Sequence, residues 1–130
     1  MPCRANGEPY VNDKHAIVIY PGEHFAIDVT IENGKVIAVA PRPAEGDLAN
    51  TVELSFSGNG NSMNLTVQSH LASTIKYDAT MKGPDDRLVY TSSCPVRAGL
   101  AAFEGWPHSI KFLELSNFTF QGEGDDGACR

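Results

Sequence analysis

Apolar and polar positions alternate along most of this chain, most clearly where Phe25, Ile27, Val29 and Ile31 are separated by Ala26, Asp28 and Thr30. Side chains of a strand point alternately to its two faces, so this stretch predicts a half-buried strand. Asn33-Gly34 follows, and then a returning run from Val36 to Ala40. Asn and Gly tolerate the positive φ angles of a type I′ turn, which predicts a hairpin with Glu32 facing Lys35 and Ile31 facing Val36. On that register one face carries Ile27, Val29, Ile31, Val36, Ala38 and Ala40. The other carries Asp28, Thr30, Glu32 and Lys35, with Ile37 and Val39.

The rest of the chain repeats the theme in shorter pieces. Ala16 to Tyr20 is a β-branched run stopped by Pro21-Gly22, whose order suits a type II turn. Residues 41–50 hold two prolines and a glycine and read as a loop. Val52, Leu54 and Phe56, then Met63, Leu65 and Val67, form a second alternating pair around the Gly-rich loop Gly58 to Ser62. Ile75 to Met81 and Arg87 to Thr91 flank a turn at Gly83-Pro84-Asp85-Asp86, and Ile110 to Leu115 and Phe118 to Phe120 supply the last strand or strands. Ala98 to Phe103, rich in alanine, is the one stretch that reads as helical, and it allows at most two turns. Residues 1–14 show no period and read as an irregular lead-in, and residues 122–130 as a mobile, acidic, glycine-rich tail.

Seven to nine short strands without strand–helix alternation predict an all-β fold, an antiparallel two-sheet sandwich, with at most one short helix near 98–103. With 130 residues, one domain spanning 1–130 is expected. Twelve glycines, eight prolines and eight asparagines fit a chain of many short elements better than one of long helices.

Charge narrows the partners. Sixteen acids against ten bases leave a formal charge of −6, which repels nucleic-acid phosphates, and no local stretch concentrates Lys or Arg. Nucleic acid is therefore not an expected partner. No apolar run approaches the ~20 residues of a membrane-spanning helix. A protein or a small ligand is the partner class left open.

The segment from Tyr20 through Pro21-Gly22-Glu23 to Val29 resembles the entry to a strand in immunoglobulin-like modules of bacterial exported proteins, where a proline–glycine–acid turn precedes an alternating strand. The resemblance spans about ten residues. It implies an immunoglobulin-like sandwich and no activity. Paired cysteines bracketing a tryptophan, as in antibody-type domains, are not seen.

Cys3, Cys94 and Cys129 have no C-x-x-C spacing, so a zinc site would have to be gathered from distant parts of the chain. In a small exported domain a disulfide is expected, here between Cys94 and one of the terminal cysteines. Met1-Pro2-Cys3-Arg4 lacks the features of a signal peptide, which leaves a cytosolic protein or an exported one whose signal has been removed; the cysteines and the fold class favour the second, periplasmic or extracellular.

Other candidate chemistry is sparse. His15, His24, His70 and His108 stand singly, without the i, i+2 or i, i+4 spacing that aligns two imidazoles on a metal. The acids of 85–86 and of the tail do not match a calcium loop, and Gly58-Asn59-Gly60 precedes a strand where a phosphate loop needs a helix. Asn64-Leu65-Thr66 and Asn117-Phe118-Thr119 match the N-glycosylation pattern, both on or beside strands. Neither a catalytic group, a cofactor nor a metal site is assigned. Trp106, flanked by Phe103 and His108, is a core or loop anchor, and the three form a candidate recognition loop. The expectation is a non-enzymatic exported binding or structural module. The alternative is a small metal-dependent or cysteine-dependent hydrolase assembled from His24, His70, His108 and Cys94.

Overall fold

The alternating segments pair into two antiparallel sheets in a computed structural model that describes residues 9–59 and 61–120. Nine strands are present among these residues: β1 (Ile17–Ile19), β2 (His24–Glu32), β3 (Lys35–Arg42), β4 (Thr51–Gly58), β5 (Met63–Ser69), β6 (Ile75–Lys82), β7 (Leu88–Thr91), β8 (Ala101–Trp106) and β9 (Phe112–Phe120). One sheet has the order β1-β9-β6-β7 and the other β3-β2-β4-β5-β8. The two-sheet sandwich expected from the alternation is the fold.

The core lies between the sheets. Phe25, Ile27, Val52, Leu54, Phe56, Leu65 and Val67 come from the five-stranded sheet, and Ile17, Ile19, Ile75, Tyr77, Leu113 and Leu115 from the four-stranded one, all buried. The turn after β1 carries Gly22 at φ 89°, with the Glu23 N–H donating to the Tyr20 carbonyl at 3.1 Å. This is the geometry that the Pro-Gly order selects. The Gly22 N–H also donates to the Phe56 carbonyl at 2.7 Å, which ties the turn to β4.

The β2–β3 hairpin turns on Asn33 at φ 53° and Gly34 at φ 74°, and Glu32 pairs with Lys35 and Ile31 with Val36 as expected. Beyond that point the expected faces are wrong. Thr30 pairs with Ala38 and Val29 with Val39, so Ile37 is an extra residue bulged out of the ladder. One extra residue moves every later side chain to the opposite face. Val39, and not Ala38 or Ala40, therefore shares a face with Val29 and packs against the core, while Ile37 is 55% exposed.

Three further expectations change. Ala98 to Phe103 is not helical: the Leu100 N–H closes a turn on the Arg97 carbonyl, and Ala101 onward is β8, paired along β5. Pairing a whole strand outweighs the modest helix preference of a short alanine-rich stretch. The lead-in is ordered over its last part, since Val11 bridges Ile17 and the Val18 N–H donates to the Tyr10 carbonyl at 2.8 Å. Strand β3 runs on through Pro41 and Arg42, which a strand at the edge of a sheet tolerates. Phe112 to Leu115 and Phe118 to Phe120 belong to one strand, β9, with a bulge near Asn117 at φ 54°, while Ile110 and Lys111 precede it. The tail 122–130, and Cys3 and Cys129, lie outside the described residues.

Candidate functional site

Strand β8 closes one side of the five-stranded sheet, and its two faces differ sharply. Trp106 points inward, where its ring meets Phe56 edge-on at 6.3 Å and its indole N–H donates to the Thr91 hydroxyl at 2.8 Å. That bond crosses from β8 to β7 and joins the two sheets at their open side. Two positions away, Glu104 faces the same interior. Desolvation raises its carboxyl above the usual range, and the Cys94 backbone N–H partly offsets this by donating to it. The Tyr77 hydroxyl opposite is buried without a hydrogen-bond partner among the described residues, and burial pushes its ionisation well up.

Phe103 is on the other face, 75% exposed. Among the described residues no strand pairs with the outer side of β8. Neighbouring strand β7 adds Leu88, Val89 and Tyr90, and the turn before β8 adds Leu100, all exposed. This side thus carries most of the large exposed apolar residues among the described ones.

The three residues expected to share a recognition loop are placed as follows. Phe103 and Trp106 lie on strand β8, on opposite faces, because an odd separation in a strand puts two side chains on opposite sides. His108 lies beyond the strand and helps line an open cleft of about 540 Å³ with Met81, Pro84, Arg87 and Val89. Its Nδ1 lies 3.0 Å from the Ser109 carbonyl oxygen. A carbonyl only accepts, so Nδ1 carries the proton in that contact. Cys94 sits half-buried in the β7–β8 connection.

Sheet register creates one constellation that sequence spacing did not reveal. Glu53 lies on β4 between Ala26 of β2 and Gln68 of β5, on the outer face. His24, at the start of β2, places Nε2 3.2 Å from one carboxylate oxygen, and His70, just after β5, places Nε2 2.6 Å from the other. The hydrogen bond from His70 is the main cause of the lowered Glu53 pKa, with His24 adding to it against a desolvation cost. An ionised carboxylate only accepts, so both Nε2 atoms carry protons, the form in which an imidazole nitrogen does not ligate a metal. Among the described residues no group of three or more His, Cys, Asp or Glu is arranged to hold a metal ion. His108 takes no part in this cluster. The signal for it was present only as three polar residues on or just after separate strands, and pairing them needed the register.

Set against models of protein families, curated proteins and solved structures, the chain matches none, so the reading of these surfaces rests on their own geometry.

Proposed function

We propose that this protein is a non-enzymatic binding module of an exported, immunoglobulin-like kind, and that it takes a protein partner along the β8 edge of its five-stranded sheet. The observation that carries this reading is Phe103, a large aromatic side chain 75% exposed in the middle of a strand whose outer side is unpaired among the described residues. An unpaired edge offers backbone donors and acceptors to an extended segment, and alternate side chains give such pairing its specificity. The exported setting entails a bridge between Cys94 and either Cys3 or Cys129, which would tie a terminus to the β7–β8 connection beside this edge.

Panning a displayed library of random linear peptides against the protein tests the docking edge. Peptides with alternating apolar residues are expected, with binding lost in Phe103→Lys and amide protection confined to β8. Peptides that still bind Phe103→Lys, or that protect another strand, overturn the reading. Non-reducing peptide mapping tests the exported setting, where a Cys94-linked peptide is expected and three free thiols would count against it.

A further inference from the structure

Resting on the reading of β8 as a docking edge, we infer that the strand it accepts is β8 of a second copy, antiparallel and related by a two-fold axis through Phe103. The unspent backbone groups of β8 set the register. The Ser69 N–H donates to the Leu100 carbonyl at 2.9 Å, so Leu100 stands at a bonding position facing β5, although its own N–H turns to Arg97. Hydrogen-bonded and non-bonded pairs alternate along an antiparallel ladder. From the register of β5 and β8, the bonded positions on β8 continue as Ala102, Glu104 and Trp106. The N–H and C=O groups of Ala101, Phe103 and Gly105 therefore point away from β5, towards the open side.

These three residues are evenly spaced about Phe103. A two-fold axis there sets Phe103 opposite Phe103 of the second copy and Ala101 opposite its Gly105, and each opposed pair exchanges both N–H···O bonds. No outward group is left over. Charge agrees with this register. Glu104 is the only charged residue in the strand, and it falls opposite Ala102 of the second copy, so like charges do not meet. Just beyond the strand, exposed Leu100 comes opposite Trp106 of the second copy. Strand β8 also lacks the devices that keep an edge from pairing: it has no lysine, no proline and no bulge.

One strand pair buries less than the roughly 1,200 Å² that marks the weak, transient class, so the dimer is expected to be concentration-dependent. Each copy carries a net charge of −6, so added salt should favour association by screening.

Sedimentation equilibrium of the full chain over a wide concentration range, joined to amide exchange by NMR, tests the inference. Wild type is expected to approach dimer mass as Ala101, Phe103 and Gly105 gain protection together. Phe103→Lys should raise the dissociation constant at least about tenfold. Phe103→Pro should do the same while staying folded, because the lost N–H serves no internal bond. A dimer that survives both substitutions, or that leaves the β8 amides unprotected, overturns the inference. A monomer at every concentration overturns the second copy as partner, and peptides protected at β8 in that same protein would leave the docking edge standing. If neither peptides nor a second copy engage β8, both readings fall.

Discussion

The five-stranded sheet has two edges, and they are built in opposite ways. Strand β3 begins with Lys35, ends with Pro41 and Arg42, and is interrupted by the bulge at Ile37. Charge, a residue without an N–H and a break in the ladder each make it a poor template for another strand. Its basic end is also occupied, with the Arg42 guanidinium donating to the carbonyls of Asp47 and Glu45 at 2.7 and 3.0 Å. Strand β8 has no proline and no bulge, its one charged residue, Glu104, faces the interior, and it exposes Phe103 on one face while Trp106 anchors the other. The contrast teaches that the apolar content of an edge matters less than whether its backbone is free to pair. Ile37 is exposed too, but on a bulge it marks the point where pairing stops.

The largest expected effect sharpens the anchoring half of this contrast. Trp106→Ala removes the contact with Phe56 and the bond to Thr91, and should cost about 3 kcal/mol in chemical denaturation. Amide exchange should then show β8 loosening while β3 keeps its protection; equal loosening of both edges would break the comparison. Next is Gly34→Ala in the β2–β3 turn. A Cβ there meets nothing within 4 Å, so the cost is purely that of the φ of 74°, about 1 kcal/mol, read in the same assay.

Glu53 lies on β4, the middle strand between the two edges, and serves as a reference belonging to neither. Its carboxyl pKa is lowered in the folded state, chiefly by His70, so its contribution is present above the unfolded value of about 4.3 and lost as pH falls through the lowered one. Glu53→Gln should therefore cost no more than about 1 kcal/mol at neutral pH, with the difference from wild type vanishing in acid. Denaturation curves at a series of pH values check this, and a gap that widened on acidification would contradict it. The smallest effect on stability is that of Phe103→Lys, within about 0.5 kcal/mol, because the ring it removes is already in water. A large loss there would mean that Phe103 supports the fold and is not held out for a partner.

Most of the fold was legible in the alternation. Phe25, Ile27 and Val29 are buried as their spacing demanded, and Asn33-Gly34 and Pro21-Gly22 form the turns their φ preferences select. What misled was local ambiguity. Ala98 to Phe103 has mostly small side chains and no clear period, so nothing in it opposed a helix until β5 supplied a partner for Ala101 onward. The extra residue at Ile37 is invisible to pattern reading, since a run of Val, Ile and Ala fits either face equally well.

The candidate surfaces divide in the same way. Trp106 was recognisable as an anchor because it is the only tryptophan of the chain, and so large a ring finds a core to fill. Glu53 was not recognisable, because its meeting with His24 and His70 depends on three strands lying side by side in one register.

By itself, then, the sequence determined most of the strands, though not β8, the apolar face of those with clear alternation, and where the hairpins turn, since these follow from side-chain period and allowed backbone angles within a few neighbouring residues. Only the tertiary structure decided where the bulges fall, which strands end up at the edges and which polar residues meet. Those depend on pairings between segments far apart in the chain, whose cost and reward no local stretch carries.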